Sequence, residues 1–150
     1  MTTDSIRIIF VKMEVDGRQN LCVLLAQDGL VNRLGTGTVN NSERDLFIGH
    51  TNEPLFTQLR DKLRPEWLAH GGTYDIPNKI GRTCTLTILV QDAGGQGYGV
   101  GFRYGSRSQG PPLDICQFVT EAVRLTDPWY EQQKSMVSGR PSTRPWWKAW

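Results

Sequence analysis

Between Ile6 and Val15 apolar residues recur at alternate positions, so that an extended chain places Ile9, Val11, Met13 and Val15 on one face and Ile8, Phe10, Lys12 and Glu14 on the other. Residues 18 to 27 lack that alternation. Their unbroken run from Leu21 to Ala26 reads as a strand shielded by neighbours and by a covering layer. A third extended segment spans residues 30 to 38. Asp16-Gly17 and Asp28-Gly29 separate the three, and Asp-Gly readily supplies the two positive φ angles of a type I′ turn. The pattern therefore predicts a three-stranded meander.

The period then changes. After the polar stretch Asn40 to Asp45, Thr51 or Asn52 reads as a helix start with Glu53 and Pro54 in the first turn, and Leu55, Phe56, Leu59 and Leu63 form one stripe. Pro65 disfavours helical geometry at Arg64, which predicts a short helix near 53 to 63 followed by a linker containing Trp67, Gly71-Gly72 and Pro77. Residues 82 to 91 alternate threonine with apolar residues, and 98 to 104 pair with them across the loop Asp92 to Gln96. A second helix is predicted from about Leu113 to Leu125, with Ile115, Phe118, Val119 and Ala122 on its apolar face and Asp127-Pro128 as its stop. Trp129, Tyr130 and Met136 suggest a further short helical piece.

These elements predict an α+β fold: a twisted antiparallel sheet of five to seven strands with two amphipathic helices packed on one face. Their order reads as two related βββα halves, although no residue-level repeat supports duplication. The expected organisation is one domain over residues 1–138 and a flexible, basic, Trp-rich tail over 139–150.

Length and composition fit that picture. A chain of 150 residues can bury a full core without staples, and Cys22, Cys84 and Cys116 are odd in number and lie in apolar segments, which points to a reducing compartment and a cytoplasmic protein. The start of the chain has neither the basic stretch nor the uninterrupted apolar run of a signal peptide or membrane span. From Lys134 onward there are four basic residues and no acidic one; residues 1 to 133 hold thirteen basic against fifteen acidic. The slightly acidic body is a poor footprint for duplex nucleic acid.

Candidate chemistry is sparse. Gly97, Gly99 and Gly101 alternate, so in a strand they bare one face, shared with Arg103; a bare stripe marks close approach of a ligand, a partner or a bulky side chain such as Trp67 or Trp129. The GxGxxG-like spacing lies within a hairpin strand, not between a strand and the helix it opens, so it predicts no dinucleotide site. The loop before the second helix offers Ser106, Arg107, Ser108 and Gly110 as an anion cradle, although Pro111 and Pro112 remove two amide donors and Asp114 would occupy the positive helix end. His50 and His70 lack metal-ligand spacing, and Cys116 reads as a packed thiol. Neither a cofactor nor a metal is expected.

Trp146, Trp147 and Trp150 crowd the last five positions beside Arg144 and Lys148. Tryptophan and arginine dominate interface hot spots, so this segment suits docking on a protein partner or a second copy, or folding back on its own sheet. The leading expectation is a noncatalytic interaction or assembly module using the Trp-rich tail and the Gly-striped strand. An alternative is a single-stranded nucleic-acid-binding sheet with Tyr98, Phe102 and Tyr104 stacking on bases. A third is an enzyme or binder of an anionic small molecule at the 105–110 loop.

Overall fold

A computed structural model describes residues 2–138, and it is α+β. Seven strands form one sheet in the order β4-β3-β2-β1-β6-β7-β5. They are β1 (Ile6–Val15), β2 (Arg18–Ala26), β3 (Leu30–Gly35), β4 (Phe47–His50), β5 (Thr73–Asp75), β6 (Thr83–Asp92) and β7 (Gly97–Gly105). The helices are α1 (Leu55–Arg60), α2 (Pro65–Ala69) and α3 (Leu113–Ser138). Residues 139–150, including Trp146, Trp147 and Trp150, lie outside the described residues.

The hairpins form where the alternation and turns place them. Asp16 and Gly17 both take positive φ, 52° and 78°, and β1 pairs with β2 across them. The second Asp-Gly behaves differently: only Gly29 has positive φ, and Asp28 Oδ1 accepts a hydrogen bond from Leu30 N at 3.0 Å. Three residues, 27 to 29, thus connect β2 to β3. The third strand stops at Gly35, not residue 38, because Gly35 turns at φ 77° with its Cα against the Asn20 carbonyl, where any Cβ would collide.

Several elements depart from the expectation. The sheet is mixed: β5 runs parallel to β7, through Thr73 opposite Gly101 and Asp75 opposite Arg103. Phe47–His50 is an edge strand on β3, and its extension holds Thr51 N to Gly29 O at 2.9 Å, which delays the first helix to Leu55. Pro65 ends one helix and opens another, since it sits at the first position of α2, where a missing N–H costs nothing. Three helices, not two, therefore cover the sheet.

The largest difference is α3, which continues 13 residues past Leu125 with Pro128 inside it. Proline in a helix interior costs about 3 kcal/mol, so tertiary contacts must hold the chain there. Arg33 on β3, 1% exposed, supplies them. Its Nη1 donates to Thr126 Oγ1 and Asp127 Oδ1, both at 2.9 Å, and to the Val123 carbonyl at 3.3 Å; its Nε donates to Gly35 O at 3.0 Å. The guanidinium also lies 4.3 Å from the centre of the Tyr130 ring. Tyr130 Oη accepts from Gly35 N at 2.9 Å and donates to Glu43 Oε1 at 2.7 Å, while Lys134 Nζ reaches Glu43 Oε2 at 3.0 Å. Trp129 closes the contact by packing its ring on Gly49 of β4.

The core lies between this helical layer and one sheet face. Ile9, Val11, Val23, Leu25, Ile88 and Val100 meet Phe56, Leu59, Leu68, Phe118 and Ala122 there.

Replacing Arg33 by methionine is expected to lower unfolding stability by about 2–4 kcal/mol, because Thr126, Val123 and Gly35 lose a buried donor. Asp127→Asn should cost under about 1 kcal/mol, since that carboxylate is half exposed. Urea unfolding measures both, and equal losses would show that the ion pair, not the buried donor set, anchors α3.

Burial pushes the Glu43 carboxyl up, but hydrogen bonds from Tyr130 and Lys134 outweigh it and hold the group below the ordinary glutamate range. A depressed folded value adds stability above the unfolded pKa of about 4.3 and loses it as pH falls through the folded value. Thermal melts from neutral pH into acid should therefore fall more steeply for the wild type than for Glu43→Gln. Superimposable acid limbs would contradict this assignment.

Candidate functional site

Where β5, β7, α2 and the start of α3 meet, the helical layer leaves an open cleft of about 570 Å³. Its formation follows from local sequence. Pro65 starts α2 directly after α1, and Gly71 and Gly72, both at positive φ, turn the chain so that Thr73–Asp75 adds to the free edge of β7. Tyr74 then stacks on Phe102, with centroids 5.5 Å apart and planes at 23°. Trp67 on α2 forms the opposite wall, edge-on to Phe118 at 5.3 Å.

The polar groups of the cleft are acidic. Trp67 Nε1 donates to Asp114 Oδ2 at 2.9 Å, and Arg64 approaches the same oxygen at 3.6 Å, so Asp114 fixes the indole and is partly neutralised. Glu66 is exposed and has no ion-pair partner among the described residues. Among the described residues no lysine or arginine lines the cleft, and Tyr74 is 46% exposed. An aromatic wall with two carboxylates suits a ligand carrying rings and positive charge.

Only part of this was anticipated. Gly110 lies on the cleft wall, but the rest of its loop is spent on internal bonds: Ser106 N on Arg82 O, Arg107 N on Ile80 O, and Ser108 N on Gly105 O. Ser106 Oγ accepts from Arg82 N at 2.8 Å, and Ser108 Oγ donates to Gly105 O. The amides of residues 106 to 108 are thus engaged within the loop and its neighbours. Glu66, Trp67 and Tyr74 fell in a stretch read as linker; the missed signal was Pro65-Glu66, a proline followed by an acidic residue, which marks a helix start as well as a stop.

The glycine stripe is on the other side of the sheet. Gly97, Gly99 and Gly101 share the uncovered face with exposed Arg103. Neither Trp67 nor Trp129 fills the stripe, since both belong to the helical side. Leu89 of β6 leans over Gly99, where an added Cβ would fall 2.3 Å from its Cδ2, and Thr73 Oγ1 lies 3.3 Å from the same position at Gly101. Tyr98, Phe102 and Tyr104 face the covered side, where Phe102 is buried and the tyrosines pack on the core, so they are withheld from base stacking.

That uncovered face has its own pattern. Strand register aligns Ile48, Asn32, Leu24, Phe10, Leu89 and Gly99 in one row across six strands. Ile48 is 63% exposed and Leu89 42%. Ile8, Cys22, Ala26 and Leu34 flank the row. Antiparallel sheets covered on one side ordinarily turn polar residues to water on the other; here Lys12, Glu14, Thr85, Thr87 and Arg103 do so toward one end and Gln91 toward the other, while the row itself is apolar but for Asn32.

Groups suited to covalent or metal chemistry are dispersed. His50 is on β4, five strands from β7, and His70 ends α2 near the end of β7 remote from the 105–110 loop. Burial raises the thiols of Cys84 and Cys116 and pushes Cys22 up to about 11. Among the described residues no group of three or more His, Cys, Asp and Glu side chains is placed to hold a metal ion, and no helix is long and apolar enough to cross a membrane.

Compared with models of known protein families, with curated proteins and with solved structures, the chain matches none.

At pH 8 a thiol of pKa about 11 is about one-thousandth ionised. Cys22 in the folded chain should therefore react with a disulfide reagent at least about a hundredfold more slowly than in urea. Comparable rates in the two states, followed by mass spectrometry of the modified residue, would show that β2 opens readily.

Proposed function

We propose that the protein is a noncatalytic interaction module that presents the uncovered face of its sheet, including the glycine-striped strand β7, to a protein partner. The observation that supports this reading is the row Ile48, Asn32, Leu24, Phe10 and Leu89, apolar but for Asn32. Five strands at about 4.8 Å spacing make the row about 19 Å wide. Contiguous apolar surface on that scale marks binding sites more often than it marks free surface. Strand residues hold such a surface flat and rigid, which lowers the ordering cost of association. The glycines of β7 keep one end of it shallow, so a partner that lays down a sheet or a helix pair meets no ridge there.

The test is a double substitution at the two most exposed positions in the row, Ile48→Lys with Leu89→Lys. Both side chains already face solvent, so unfolding stability should change by less than about 1 kcal/mol. With the full chain as bait in quantitative pull-downs, proteins held by this face should be retained at least about tenfold less by the variant. If bound proteins and their amounts are the same for both chains, the sheet face is not the docking surface.

A further inference from the structure

We infer that the acidic aromatic cleft between α2, β5 and the start of α3 is a receptor for residues 139–150 of a second copy of this chain. This is separate from the sheet-face reading, because the cleft opens on the helical side.

Charge and ring chemistry carry the match. Among the described residues the cleft lining has two carboxylates, Glu66 and Asp114, and no lysine or arginine, and its walls are Trp67, Tyr74 and Phe102. Residues 139–150 hold Arg140, Arg144 and Lys148, three tryptophans and no acidic residue. Arg64 tempers Asp114 from one side, which leaves Glu66 as the fuller charge. Tryptophan seated between Trp67 and Tyr74 would bury aromatic area on both faces, and a guanidinium beside Glu66 would add a charge-assisted bond. Pro141 and Pro145 favour an extended backbone around them, the form that aromatic-walled grooves accept at low entropic cost.

Length limits what the same chain can place there. From Ile115 at the cleft to Ser138 is 23 residues of α3, about 34 Å at 1.5 Å per residue. From Ser138 to Trp147 is 9 residues, a backbone reach of at most about 32 Å even when straight, and to Trp150 it is 12 residues, about 43 Å. Only Trp150 thus has the backbone length to return to its own cleft, and only by reversing direction and running nearly straight along the helix. A second copy has no such limit. Reciprocal exchange, each segment in the other's cleft, closes a two-fold dimer and makes the second contact intramolecular.

The test uses full chains. A labelled peptide of residues 139–150 is titrated into a chain carrying Trp146→Ala, Trp147→Ala and Trp150→Ala, whose own segment cannot compete but whose cleft is intact. It should bind, and adding Glu66→Lys and Tyr74→Ala should weaken it at least about tenfold, as should raising salt to about 0.5 M. Glu66→Lys alone, at an exposed position, should weaken it in the same direction and guards against a folding defect in the double variant. Ile48→Lys with Leu89→Lys should leave peptide affinity unchanged, which separates this inference from the sheet-face reading. By light scattering the unaltered chain should form a dimer that the three tail substitutions abolish. No binding of the peptide, or binding indifferent to Glu66 and Tyr74, would overturn the inference. Cleft binding by the peptide together with a monomeric unaltered chain would overturn the second-copy assignment.

Discussion

One buried guanidinium ties the third strand to the last helix and fixes how the helical layer lies on the sheet. Arg33 projects from β3 into the helical layer, where four acceptors and an aromatic face surround it. A charge that deep is costly unless it finds acceptors and a counter-charge. Nε and Nη1 find the acceptors and Asp127 supplies the charge, but only if α3 continues through Thr126, Asp127 and Tyr130. The need to satisfy Arg33 thus keeps Pro128 helical, and the continuation lays Trp129 across Gly49 at the far edge of the sheet. Specificity is the better description of what this arrangement provides: a methionine would fill the space, but nothing would then fix which turn of α3 lies over β3.

The two sheet faces answer to different constraints. On the covered side, α3 runs from β7 toward β4, and the short α1 and α2 fill what it leaves, so that the cleft is the remainder where α2 and the start of α3 fail to meet. On the other side no helix among the described residues covers the sheet, yet Ile8, Phe10, Leu24, Leu89 and Ile48 stand there beside Lys12, Glu14 and the threonines of β6. A strand is thus asked to be a core element twice, which is why Leu21 to Ala26 shows no alternation: Leu21, Val23 and Leu25 serve the helices, and Cys22, Leu24 and Ala26 the open face. Reading that run as a strand shielded by its neighbours and a covering layer agrees with β2, which lies between β1 and β3 under the helices.

How legible each element was depended on whether its cause is local. Hairpins set by alternation and Asp-Gly turns were readable to within a residue or two, because pairing register follows from the turn, except at the end of β3, where Gly35 ends the strand three residues early. The end of α3 was not, since Pro128 is a stop by any local rule and the interaction that overrides it comes from Arg33, 94 residues from Asp127. β5 carries three exposed residues and no periodicity, so only the free edge of β7 makes it a strand. The candidate sites divide in the same way. The glycine stripe was visible as a bare face, but what lies over it, Leu89 and Thr73, depends on strand order. Glu66, Trp67 and Tyr74 come together through turns at Gly71 and Gly72 that the sequence marks without saying where they lead.

The distance between Arg33 and its partners has a consequence during synthesis. β1 to β4 can pair as soon as they leave the ribosome, yet the residues that complete Arg33 and cover the inner face are made about 90 residues later, roughly 5–20 s at ordinary elongation rates. β1 also waits for β6, so the nascent meander carries two apolar faces, an unpaired edge and an uncompensated cation together. Whatever protects the chain in that interval must be released by the arrival of α3, which makes the last helix the element that commits the earlier strands to their final neighbours.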